Sequence, residues 1–461
     1  MAGFDRINFY AEPARMLDVA RRLAGVAAEL GPAGIRYAGV NLAPAAFGAA
    51  PHSAAAHGSW REAATLLTAY LAAATSEAEA MSEGVHRSSE AYRSGDARVS
   101  EMYRQLLLRL EPDAAGAPAG DAALVTRDGI PGAGTHPDAV HDWWQQLAEG
   151  PRDSVLAAHP ELVGGLDGVP AESRDQANRH NLDNAISGQR DLIQRYQQEI
   201  DNGAGNEGTV LEQTHAQRQL RQMEELRTRL QGDPRAHLLS FSAEGDGRAV
   251  VALGNPDRAG AVLTYVPGMG SDLGTVPGAL DRMEAVLARS PQHTAAIVWL
   301  GYDAPDLGPQ VGFSSYARDA AEPLHRFQEG LRTTHLGDVP SNNVLLAHSY
   351  GSTAYGITAA QYGVSADRVY LIGSIGTDQE SANGFLGTRT ENVYATTHAW
   401  DVAHLPPAVD YYRSSPSDPL FGAQQLPGAY DGVLDSHTAY LHRPEILDNI
   451  ARLLARPAVT P

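Results

Sequence analysis

The sequence predicts an α/β domain over residues 235–461, with all-helical material placed ahead of it. Four continuous apolar runs, "AVLTYV", "AAIVWL", "NVLLA" and "RVYLIG", follow one another in that span, separated by segments of helix-compatible composition. Strands that are apolar throughout, rather than at alternate positions, are buried on both faces. Such strands go with a largely parallel sheet covered by helices. A change of texture marks the boundary: before His237 apolar residues recur at spacings of three and four, and after it they come in short blocks.

Taken in order, Met16, Ala20, Leu23, Ala27 and Leu30 line one face of a first amphipathic helix. The stretch "GVNLAPAAFGAAPHS" breaks it. A longer helical pattern runs from about Gly58 to Leu110, with Trp60, Leu67, Tyr70, Leu71, Met81, Val85 and Met102 as inward positions. Two such helices cover each other as a hairpin, assigned to 1–112. Residues 113–137, rich in Gly, Pro and Ala, read as a linker. Residues 138–234 are helical again and are expected to pack on or cap the following domain. Trp143 and Trp144 read as buried anchors, and Leu220, Met223, Leu226 and Leu230 fall along one side of the last helix. "HLLSFSAEGDGRAVVALG" then reads as two strands about a Gly-Asp-Gly turn.

Bulk properties exclude several function classes. The 461-residue chain carries 55 acidic against 35 basic residues, a formal charge of −20 that disfavours nucleic acid and anionic membranes. With no cysteine there is no disulfide, thiolate metal site or cysteine nucleophile. No apolar run reaches the length of a membrane span, and the N-terminus lacks a conventional signal peptide. No H-E-x-x-H, phosphate loop or dinucleotide fingerprint is present, so neither metal nor cofactor is expected.

The chemistry is expected at Ser349. It lies just past the apolar run "NVLLA" and before the helix-compatible "GSTAYGITAAQYG", the strand–turn–helix setting of a nucleophile elbow. The local pattern is Ala347-His348-Ser349-Tyr350-Gly351, with alanine at the position where the elbow usually has its first glycine. The bland alternative is a serine capping a helix. A serine hydroxyl needs a base, and the base needs a carboxylate; on such sheets the chain order is Ser, acid, His. Among the downstream histidines His437 fits best, in a loop before a helix that Pro444 can open, with His404 as runner-up. Asp401, after "NVYATTHAW", is the favoured acid. Asp378, one strand earlier, competes, and Asp435 is too near His437 in sequence. Oxyanion donors are expected from the Tyr350 amide and from Gly268 and Met269 in "TYVPGMGSD".

These motifs, together with "IVWLGYDAP", "YLIGSIGTD" and the late "DSHTAYL", resemble an actinobacterial α/β-hydrolase family from about residue 138 onward. The resemblance implies an α/β-hydrolase fold with Ser349, Asp401 and His437 as its triad. Two departures are Ala347 for glycine and "GSIG" for a more usual Gly-Ser-Pro-Gly. The first hundred residues resemble helical-hairpin substrates of type VII secretion. Phe47-Gly48 stands in place of Trp-x-Gly, and Tyr92 to Asp96, "YRSGD", matches the Tyr-x-x-x-Asp/Glu export signal. That implies a secretion machinery or helical partner and an exported or cytoplasmic location. The leading expectation is a serine hydrolase of a lipid or other small ester. The alternatives are a silent secretion-associated scaffold and a thioesterase or peptidase using the same triad.

Overall fold

The computed structural model describes residues 127–305, 314–397, 415–428, 437 and 439–458. The chain splits into two units, 1–119 and 120–461, and every described residue belongs to the second. The expected hairpin with Tyr92 and Asp96 lies outside the described residues, as do Asp401 and His404.

The apolar runs form one eight-stranded sheet in the order β1-β2-β4-β3-β5-β6-β7-β8. Its strands are β1 Ala236–Ser242, β2 Arg248–Leu253, β3 Ala261–Val266, β4 Thr294–Leu300, β5 Asn342–His348, β6 Arg368–Ile372, β7 Val393–Thr396 and β8 Gln424–Gln425. β1 and β2 are antiparallel, as are β2 and β4; the other pairings are parallel. Every residue of β3, β6 and β7 is buried, as unbroken apolar runs require.

The helices are α1 Pro137–Gln146, α2 Glu149–Ala158, α3 Pro160–Val163, α4 Ala171–Asp201, α5 Glu207–Gly232, α6 Val276–Leu287, α7 Ser315–Thr333, α8 Tyr350–Tyr362 and α9 Pro444–Leu454. α7 packs on α8, while α6 packs on α9. The strand order explains where a site can form. From β3 the chain crosses to β4 on one side, whereas from β5 it moves to β6 on the other. The connections leaving the adjacent β3 and β5 therefore diverge, and a crevice opens beyond their carboxyl ends.

α4 and α5 pair as a hairpin and join the main core through Leu182, Ile186, Met223, Leu226 and Leu230. α4 lies along the outer edge of β1, and its polar side chains close that strand's open backbone groups. Asp175 accepts the Leu238 N–H at 2.6 Å, Asn178 donates to the Leu238 carbonyl at 3.0 Å, and Arg174 donates to the Leu239 carbonyl at 2.8 Å. Arg179 reaches the Ala236 carbonyl at 2.8 Å. The register slips between Leu238 and Ser240, so Leu239 bulges and its carbonyl turns to the helix. Left uncovered, such an edge would be a template for another chain.

Ahead of the hairpin, α1 and α2 enclose a smaller core of Ile130, Val140, Trp144, Val155 and Leu156. Trp144 is buried there, but Trp143 is only half-buried at its rim, so the expected pair of buried anchors is in fact one.

Candidate active site

β5 delivers the chain to Ser349, and α8 begins at the next residue. Ser349 has φ 53 and ψ −125, and only His293 and Asp378 share a positive φ among the described non-glycine residues. A serine held there costs about 1–3 kcal/mol, so the surroundings must enforce it. The Ser349 N–H donates to the Ile372 carbonyl at 3.1 Å, and the Ser349 carbonyl accepts from Ser352 at 2.9 Å. Gly351 lets α8 press against the end of β3. A Cβ at that position would lie 2.5 Å from the Val266 carbonyl oxygen and 2.7 Å from that of Pro267. Ala347 sits inside β5, fully buried, so a methyl is accommodated where a glycine is more usual.

His437 reaches the same serine from far along the chain. Its Nε2 lies 2.8 Å from Ser349 Oγ. The His437 carbonyl accepts a hydrogen bond from His348 Nε2 at 2.8 Å, and the two rings stand 5.0 Å apart, tilted by 36°. Tyr440, buried in the turn before α9, packs on the other side of His348 at 6.0 Å. The residue preceding Ser349 thus holds the backbone of the residue that faces it. Sequence reasoning took His348 only as a flank of the elbow, since nothing local announces a partner 89 positions away.

The loop after β3 sits directly over the serine. A Cβ on Gly268 would come within 2.7 Å of Ser349 Cβ and 3.0 Å of the His348 carbonyl oxygen, so only glycine fits. The loop is fastened from its far side. Tyr302 Oη donates to the Pro267 carbonyl at 2.9 Å, and the Gly270 N–H donates to the Pro305 carbonyl at 2.8 Å. Burial, then the neighbouring phenols of Tyr350 and Tyr265, pushes the Tyr302 phenol well above its ordinary pKa and keeps it a donor. The half-buried Met269 has no acceptor for its N–H among the described residues. The Tyr350 side chain points elsewhere: its hydroxyl accepts the Ala317 N–H at 3.2 Å.

Of the two acids, Asp378 is half-buried in the loop after β6 at φ 56, and Asp401 lies outside the described residues. Among the described residues no cluster of three or more His, Asp or Glu is placed to hold a metal. No described helix is long and apolar enough to cross a membrane.

Residues 243–410 match a family model described as alpha/beta hydrolase. Over 210 residues the chain is 32% identical to an uncharacterized protein of Mycobacterium bovis, covering 42% of this chain and 77% of that protein. The chain belongs to the alpha/beta hydrolase family. This hydrolase-family chain is also 30% identical, over 344 residues, to an uncharacterized protein of Mycobacterium tuberculosis, a match covering 70% of this chain and 48% of the other. It therefore spans about half the length of that relative. Among solved structures, a lipase in its open form is similar at 17% identity, covering 45% of this chain and 69% of its own, with a TM-score of 0.20. A hyperthermophilic esterase from the archaeon Pyrobaculum calidifontis is similar at 14% identity, covering 58% and 86%, with a TM-score of 0.23. The fold assignment rests on the strand order and the family match, not on these two.

Proposed function

We propose that this alpha/beta hydrolase is a serine hydrolase of carboxylic esters. One observation carries the proposal: an imidazole Nε2 stands 2.8 Å from the hydroxyl of a serine held at φ 53 beyond a buried strand. Ser349 Oγ attacks the ester carbonyl carbon while its proton passes to His437 Nε2. The resulting oxyanion takes hydrogen bonds from the main-chain N–H groups of Met269 and Tyr350, with Gly268 giving the loop its close approach. Collapse of the tetrahedral species expels the alcohol, which takes the proton from His437. Water then repeats the sequence on the acyl-enzyme and releases the acid. Asp401 is the carboxylate assigned to orient His437, and His348 steadies it through the main chain. A fluorophosphonate probe should label the full chain at Ser349 and leave Ser349→Ala unlabelled. Folded protein that resists the probe and turns over no ester would overturn the proposal. The N-terminal region 1–112 is assigned to export, with Tyr92 and Asp96 as its signal. Secretion unaffected by Tyr92→Ala would remove that assignment.

A further inference from the structure

Beside the serine a cavity of about 250 Å³ opens between the sheet and α6. Gly268, Met269 and His348 border it at the crevice end. Its walls are apolar, with Val298 and Leu300 on β4, Val276 and Ala279 on α6, and Leu441. Arg282 and Tyr265 line it as well. α6 connects β3 to the parallel β4, so it runs back from the carboxyl ends of the strands. Arg282 is seven residues beyond Thr275, which also lines the cavity. Its side chain turns back along the helix, Nη1 lying 3.7 Å from where a Cβ on Gly278 would stand, so the guanidinium sits ~5 Å beyond Thr275. Tyr265 faces Val298 in register, and its hydroxyl hydrogen-bonds Arg282.

A guanidinium lining an apolar cleft calls for an anion. The carboxylates nearest to Arg282 in sequence, Asp281 and Glu284, turn outward and pair with Arg229 at 3.5 and 2.5 Å. Among the described residues no carboxylate pairs with Arg282, whose side chain hydrogen-bonds the Tyr265 hydroxyl instead. Burial raises the Tyr265 phenol above its ordinary pKa, with Arg282 acting in the opposite sense, so this hydroxyl stays protonated and able to donate. The cavity is bordered by the oxyanion loop but not by His437, which the leaving alcohol must face. That assigns it to the acyl side of the ester.

We propose that the cavity receives the acyl chain and that Arg282 recognises a carboxylate on it, so the preferred substrates are monoesters of short dicarboxylic acids. The inference rests on the hydrolase proposal and names its substrate class. A terminal carboxylate on a short acyl chain would gain charge-assisted hydrogen bonds from the guanidinium.

The test compares 4-nitrophenyl hydrogen glutarate with its neutral methyl ester on the full chain. Wild type should favour the anionic ester in kcat/KM by about ten-fold or more, through KM. Arg282→Gln should bring the ratio close to one, and Arg282→Lys should keep part of it. Should Arg282→Gln not fold, the salt dependence of wild type serves instead. The preference should shrink between about 0.05 and 0.5 M NaCl. Equal rates for the two esters in wild type, or a ratio that survives Arg282→Gln, would overturn the inference while leaving the hydrolase proposal standing. If neither ester turns over and the fluorophosphonate fails to label, the hydrolase proposal falls. Calorimetry with methyl hydrogen glutarate and dimethyl glutarate then still reads the cavity, and equal affinity for the two would overturn the anion site.

Discussion

Two places in this molecule concentrate buried polar groups, and they differ in how those groups are finished. At the seam between α4 and β1, polar side chains of the helix meet the main chain of the facing strand and one another. Asn178 bridges the Gly164 and Leu238 carbonyls, and Asp175 joins the Leu238 N–H to Arg179. No described residue of either element takes a positive φ. At the turn between β5 and α8 the backbone is strained at Ser349, and the polar groups around it converge on a crevice. The seam holds two layers together; the turn brings a hydroxyl and an imidazole together beside the crevice. Buried polarity alone therefore does not mark a site, whereas polarity joined to backbone strain and a neighbouring cavity does.

The contrast can be broken most severely at the acid. Asp401→Asn is expected to lower kcat about 10⁴-fold by leaving the imidazole in the wrong tautomer, while Asp378→Asn costs less than about ten-fold. Steady-state rates on a 4-nitrophenyl ester decide between them, and the reverse ranking would move the acid to the loop after β6. At the seam, Asn178→Ala takes a donor from two buried carbonyls, and that of Gly164 keeps only a long bond from Arg174 at 3.4 Å. The substitution should cost about 3 kcal/mol in denaturant unfolding with kcat unchanged per folded molecule. A loss of kcat there would show that seam and site are not separate. The smallest effect tests the strain itself. Ser349→Gly should raise stability by about 1 kcal/mol while abolishing turnover, because glycine adopts φ 53 readily. A destabilised Ser349→Gly protein would mean that the turn stores no strain.

Much of this was legible in the sequence. Strands β3 to β6 announced themselves because central parallel strands need apolar side chains on both faces. Ser349 stood out because an elbow requires small neighbours at set offsets, and Gly351 proves to be one that no larger residue can replace. The seam was not legible. Arg174, Asp175 and Asn178 look like the solvent face of a polar helix, and only the strand laid against α4 turns them inward. Arg282 was hidden for a related reason. One arginine in "GALDRMEAVL" reads as surface, and its place in the cavity depends on which face of α6 meets the sheet. His348 gained its role from a long-range hydrogen bond that no local pattern encodes.

The way α4 covers β1 has a practical side for anyone cutting the gene. A fragment starting at residue 235 would carry every described strand, yet its outermost one would have lost the side chains that occupy its backbone, along with the Leu182, Ile186, Met223 and Leu226 share of the common core. Such a fragment should be sticky and short-lived in solution, so an expression boundary belongs ahead of the smaller helical core, before residue 127.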